Sequence, residues 1–185
     1  MRINVLGMDP SLRNWGLVEG SLDLSSGILD ILRTSVVRPK DPEGKQVRQN
    51  SKDLYLAEQL GEVVIPASQK AKVIFVEVPV GSKSARAMAS YGMCVGVLGA
   101  VRALGVPLIE VTALESKLVF TSDRNATKRM MIDQAINLYP DIDLPRNNSG
   151  KVQDQAEHIA DALAAIHSGV KTPMFQNLMR IFNEV

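Results

Sequence analysis

The stretch Val73-Ile74-Phe75-Val76-Glu77-Val78 constrains the fold more than any other part of the chain. Its β-branched and aromatic side chains follow one another without the alternation of a half-exposed strand, so it reads as a central strand. A carboxylate, Glu77, closes it, and Pro79 stops it. Such a strand needs neighbours in a sheet and cover on its faces.

The neighbours are legible on both sides of it. Residues 2–7 read as a second buried strand that stops at Gly7-Met8-Asp9-Pro10. Residues 15–22 and 28–37 are two β-rich runs, and the short Ser25-Ser26-Gly27 turn between them predicts an antiparallel hairpin. Residues 38–46, with Pro39, Pro42 and Gly44, are a loop. Leu56, Leu60, Val63, Val64 and Ala67 then recur on one helical face. A second helix is expected over 84–104, where Ala85, Ala89, Gly92, Gly96 and Gly99 permit close packing against a sheet or a partner subunit. Residues 106–111 form the fifth strand. A short helix from Thr112, a loop at 121–125, a helix over 126–139, a polar loop at 141–150 and a helix over 153–167 follow. The chain closes with an amphipathic helix at about 173–183. This order predicts an α/β fold. Its five-stranded mixed sheet combines a three-strand antiparallel meander with two parallel strands reached through helical crossovers, and helices flank it.

Composition narrows the class without naming a function. The 185 residues suit one domain spanning 1–185, and 45% hydrophobic content can supply a full core. A single cysteine, Cys94, excludes an internal disulfide framework and most cysteine-based zinc sites. No apolar run approaches the roughly 18 residues of a membrane span, and the N-terminus does not read as a signal peptide. A soluble, intracellular protein is expected, with no membrane partner. The net charge of +1 neither favours nor opposes a polyanionic partner, so any nucleic-acid case must rest on particular positions.

Three carboxylates stand apart by position. Asp9 lies just past the first strand, Glu77 closes the most hydrophobic strand, and Asp161 sits within Ile159-Ala160-Asp161-Ala162-Leu163-Ala164-Ala165-Ile166. Taken singly, each can be turn or cap chemistry. Taken together, carboxylates in apolar surroundings need a partner or a cation, and hard oxygen ligands suit magnesium or manganese. Asp154, His158 and Asp161 fall at i, i+4 and i+7 and so share a face on the expected helix. His158 reads either as a metal ligand or general base, or as a helix-surface histidine. His167 reads as a cation near a helix C-terminus. Asp154 and Glu157 read as supporting groups or as solvated charges. A strand, an Asp and a glycine turn also open the phosphate loop of actin-like ATPases, but a second Gly-rich loop is missing and the chain is too short for two lobes.

The ordered set of motifs resembles the RuvC family of Holliday-junction resolvases, in the ribonuclease H-like superfamily, and short phage-encoded members in particular. Gly7-Met8-Asp9-Pro10 with Gly16 is similar to the first family motif, and Val76-Glu77 followed by Lys83, Gly92 and Gly96 to the second. His158-Ile159-Ala160-Asp161-Ala162-Leu163-Ala164 is similar to the last. The resemblance runs from Arg2 to about Gly169.

It implies a crossover-junction endodeoxyribonuclease in which Asp9, Glu77, His158 and Asp161 are catalytic and hold two Mg²⁺ ions, with Mn²⁺ able to substitute. Hydrolysis would make paired symmetric nicks with 5′-phosphate and 3′-hydroxyl ends. It further implies a homodimer acting on four-way junctions in the cytoplasm of a bacterium or a phage-infected host. Lys117 and Lys128 resemble positions near the DNA, and Lys83, Arg86, Arg124, Arg129, Arg146 and Lys151 are further candidate DNA contacts. Lys128 and Arg129 open a helix, where the dipole disfavours cations and a bound phosphate would compensate. One departure matters: the bacterial members carry Phe three residues after the second-motif Glu, and here that place is Val80. Valine cannot stack on bases. Tyr91 is the nearest aromatic, with a core role equally open. The alternatives are a broader branched-DNA or RNA–DNA hybrid nuclease, or a catalytically inactive junction-binding protein.

Overall fold

The structure, a computed structural model, describes residues 1–44 and 47–183, with the side chains of the last two of these left aside. Three strands open the chain: β1 (Arg2–Asp9), β2 (Trp15–Asp23) and β3 (Leu29–Val37). Helix α1 (Gln49–Lys70) leads to β4 (Val73–Glu77), and α2 (Ala85–Arg102) leads to β5 (Leu108–Val111). Four helices follow, α3 (Ala113–Thr121), α4 (Lys128–Leu138), α5 (Glu157–Gly169) and α6 (Pro173–Asn183), with a 3₁₀ turn at Asp154–Ala156 before α5.

The sheet order is β3-β2-β1-β4-β5. β1–β2 and β2–β3 pair antiparallel, while β1–β4 and β4–β5 pair parallel. The expected mixed sheet is therefore the observed one, with Val73–Glu77 next to its centre. Because side chains alternate along a strand, Ile3, Val5, Val73 and Phe75 face one layer, and Leu6, Met8, Ile74 and Val76 face the other. The first layer is built on α5 and receives α3, α4 and α6; the second is built on α1 and α2.

Helix α5 is buried along most of its length, and its run of alanines lets its backbone approach the sheet closely. Glycines complete the fit. A β-carbon on Gly7 would overlap the carbonyl oxygen of Ala162, one on Gly16 the carbonyl of His158, and one on Gly169 the ring of Phe75. These approaches fix α5 against β1, β2 and β4.

Four details differ from the sequence expectations. The helix expected over 153–167 begins as a 3₁₀ turn, so Asp154 is exposed and does not share the α5 face with His158 and Asp161. Val63 is 42% exposed, while Leu56, Leu60, Val64 and Ala67 do pack inward. The small residues of α2 do not meet the sheet: Cys94, Leu98 and Val101 make that contact, and nothing lies within 4 Å of where β-carbons of Gly92, Gly96 and Gly99 would stand. His167 is not a cation. Burial pushes its pKa down to about 4, and its Nε2 lies 2.9 Å from the Tyr139 hydroxyl between that ring and Phe120. Helix α6 docks through Phe175 and Met179 on the α5 layer, with the rings of Phe75 and Phe175 5.3 Å apart. Among the described residues, no helix is long and apolar enough to cross a membrane.

Candidate active site

Alternation carries the burial pattern of the strands to their C-terminal ends. Residues 3, 5 and 7 of β1 face α5, so Asp9 comes next on that face; residues 73 and 75 of β4 do likewise, so Glu77 follows. Gly7 pairs with Phe75 and Met8 with Val76, which brings Asp9 and Glu77 to neighbouring strand ends. Ligands commonly bind at the carboxyl ends of parallel strands in such sheets. From above, α5 contributes His158 and Asp161, one turn apart.

All four side chains line one cavity of about 360 Å³. The Nδ1–H of His158 donates to Asp9 Oδ2 at 2.6 Å, which leaves Nε2 as the free ring nitrogen, 3.7 Å from Glu157 Oε1. Burial opposes protonation of His158, but the hydrogen bond and charge of Asp9, with Glu157 and Asp161, raise its pKa. Burial raises Glu77 to about 7, helped by the charge of Asp9 and opposed by Lys117. Burial also raises Asp161 to about 8, with Asp9, Glu77 and Glu157 adding repulsion. The pocket thus concentrates more negative charge than its own cations neutralise.

That imbalance, with an all-oxygen carboxylate set and one imidazole, fits a hard divalent cation. Among the described residues, no three donors are drawn together into a ready-made cage. Magnesium keeps several waters and takes few protein ligands, so an open acidic pocket suits it better than a closed cage would.

The basic candidates divide. Lys117 and Lys128 line the pocket. Lys128 donates to Glu157 Oε1 at 2.6 Å and Arg129 pairs with Asp133 at 2.8 Å, so protein carboxylates already offset the dipole at the start of α4. The dipole therefore gives no separate argument for a phosphate there. Lys83 and Arg124 are exposed in loops outside the pocket lining. Arg86 lies outside the pocket lining, and its guanidinium donates to Asp53 with bonds of 2.6 and 2.7 Å. The Asp53 side chain is only 9% exposed and needs that counter-charge.

Two residues gain roles that the sequence left open. Glu157 ties Lys128 to the neighbourhood of His158, and its place directly before the histidine motif was the available signal. Tyr91 is no core residue, because it lines the acidic cavity together with Val80, which is 89% exposed.

No protein-family model and no curated protein matches the chain. Solved structures do match. A structure of Thermus thermophilus RuvC in complex with a Holliday-junction substrate superposes with TM-score 0.67 at 16% identity, over 90% of this chain and 92% of that one. A second T. thermophilus RuvC structure gives 0.59 at 21% identity, over 91% and 92%. Fowlpox virus resolvase, in complex with Holliday-junction DNA, gives 0.55 at 12% identity, over 95% and 99%. The fold is therefore ribonuclease H-like. Within that class its arrangement is RuvC-like, with the β3-β2-β1-β4-β5 sheet between helical layers.

Proposed function

We propose that this chain is a divalent-cation-dependent endonuclease that resolves four-way DNA junctions. The observation that carries the reading is the convergence of Asp9, Glu77, His158 and Asp161, from three distant parts of the sequence, in one cavity rimmed by Lys117 and Lys128. Likeness to resolvase structures that hold Holliday-junction DNA supports the choice of substrate.

In this reading Asp9, Glu77, His158 and Asp161 would hold two magnesium ions, with manganese able to substitute. When bound, the ions supply Lewis-acid stabilisation of phosphoryl oxygen and acidify water. The remaining work belongs to the chain. Lys117 and Lys128 attract the phosphate that the carboxylates alone would repel. Asp9 holds the proton on Nδ1 of His158 and so fixes the ring's orientation. Glu157 holds Lys128 at the rim.

Paired symmetric nicks, leaving 5′-phosphate and 3′-hydroxyl ends, require two sites, and a homodimer provides them. The outer face of α2, with Met88 47% and Val95 46% exposed beside Gly92, Gly96 and Gly99, suits a self-complementary contact. The location that goes with this reading is the cytoplasm of a bacterium or a phage-infected host.

A second reading, a broader branched-DNA or RNA–DNA hybrid nuclease, is favoured by Val80, exposed in the cavity lining at the place where the bacterial family members carry Phe, because valine cannot stack on bases. An end-labelled mobile four-way junction, incubated with Mg²⁺ beside linear duplex, flap and hybrid controls, separates the two. Paired symmetric nicks confined to the junction are expected. Cleavage of every branched form would select the second reading, and binding without cleavage in Mg²⁺ or Mn²⁺ would leave a junction-binding protein.

A further inference from the structure

We infer that a basic groove beside the acidic pocket, formed by Arg38 and the segment 147–155, holds the sugar–phosphate backbone of one DNA arm; this rests on the junction-nuclease reading above. The groove has a volume of about 490 Å³, and its polar lining includes Arg38, Asn147, Lys151, Gln153 and Gln155. Arg38 follows β3, whereas the others precede α5, so folding joins two loops more than a hundred positions apart.

The groove wall is a constructed turn. Arg146 and Val152 pair as an antiparallel bridge, and Gln153 N–H donates to Pro145 O at 2.9 Å. Within it, Asn147 Oδ1 accepts from Ser149 N–H at 3.0 Å, from the Ser149 hydroxyl at 2.7 Å and from Lys151 N–H at 2.9 Å. Arg146 donates to Gly150 O at 2.9 Å, and Gly150 supplies the positive φ of 81° that closes the turn. The side chain of Lys151 is left over. It and Arg38 are exposed and have no carboxylate partner among the described residues. Lys128, Arg129, Arg86 and Arg13, by contrast, are all paired with carboxylates.

Two free cations interspersed with side-chain amides, on an open surface, suit successive backbone phosphates rather than one enclosed anion. The place is right for an arm leaving the reaction site. Asp154, which also lines the groove, lies within electrostatic reach of Lys128 at the pocket rim. From Gln155 to His158 the chain climbs roughly 5 Å, or about one to two steps of a DNA strand. The single carboxylate of Asp154 is outnumbered by Arg38 and Lys151.

The test is fluorescence anisotropy of a labelled immobile four-way junction in EDTA, titrated across salt concentrations. Arg38→Ala/Lys151→Ala is expected to weaken binding about ten- to a hundred-fold at 0.15 M salt and to lower the salt slope by about 1.8, at about 0.9 per lost phosphate contact. Lys70→Ala/Lys72→Ala removes the same formal charge at the opposite end of β4 and should keep the wild-type slope. Wild-type affinity and slope in the first pair, or equal weakening in both pairs, would overturn the groove assignment alone. Wild-type protein that binds no branched DNA would overturn the junction reading and this assignment with it.

Discussion

The carbonyl group of His158 occupies the place where a β-carbon on residue 16 would stand, so β2 can lie under the first turn of α5 only because that residue is glycine. Gly7 does the same for Ala162 one turn further along. Between these two approaches α5 presents His158 and Asp161 to the strand ends that carry Asp9 and Glu77. The acidic pocket is therefore set by two missing side chains as much as by four present ones.

Gly16→Ala should consequently destabilise the protein by about 2–3 kcal/mol, because the added methyl meets backbone that cannot rotate away. Urea unfolding at neutral pH measures the loss. The variant should also lose cleavage more steeply than its folded fraction falls, since His158 is displaced. A substitution within 0.5 kcal/mol of wild type would mean that the helix is not held as closely as described.

Asp161→Asn should abolish junction cleavage and leave junction affinity within about threefold, because the change removes a carboxylate from the pocket without touching Lys117 or Lys128. Gel-shift and single-turnover cleavage on the same preparation separate the two quantities. Full activity in this variant would remove Asp161 from the site.

The contribution of Glu77 and Asp161 to metal-free stability should fall as pH rises. Glu77 and Asp161 titrate at about 7 and about 8 in the fold, against ordinary values of 4.5 and 3.8. Between those limits the folded chain binds more protons than the unfolded one, so these groups favour folding at low pH and lose that contribution as pH climbs to about 8. Added magnesium replaces the lost protons and should therefore raise the Tm more at pH 8 than at pH 6. Asp161→Asn should be more stable than wild type by about 1–2 kcal/mol in EDTA at pH 8. Thermal scans at two pH values, with and without magnesium, check all three statements, and a magnesium shift independent of pH would contradict them.

His167 has the opposite sign. Its pKa is about 4 in the fold against 6.5 outside it, so between these values the unfolded chain takes up the proton and stability falls as pH drops. Above 6.5 the residue has no pH effect, and by pH 4 the cumulative loss reaches up to about 3 kcal/mol. Wild type should thus lose more stability than His167→Gln between pH 7 and pH 4.5, as read from urea midpoints. Parallel loss in both proteins would mean that the imidazole is not buried neutral.

Much of this architecture is local information. The unbroken apolar run at 73–78, the Ser25-Ser26-Gly27 turn and the helical periodicities each rest on a few adjacent residues, and they sufficed for element order and sheet type. Alternation along β1 and β4 even places Asp9 and Glu77 on one face. Pairing between distant residues is different, since side-chain partners depend on which surfaces meet. That is why Arg86 went to Asp53, Lys128 to Glu157 and His167 to Tyr139, and why Tyr91 lies in the pocket rather than the core. It is also why Asp154 left the His158 face: a single 3₁₀ turn rotates the residues before it, and no periodicity in the sequence marks where such a turn ends. The amino-acid sequence by itself determined the strands, the helices and the acidic residues at their ends; the tertiary structure decided their partners, because burial and charge pairing depend on distances that only packing sets.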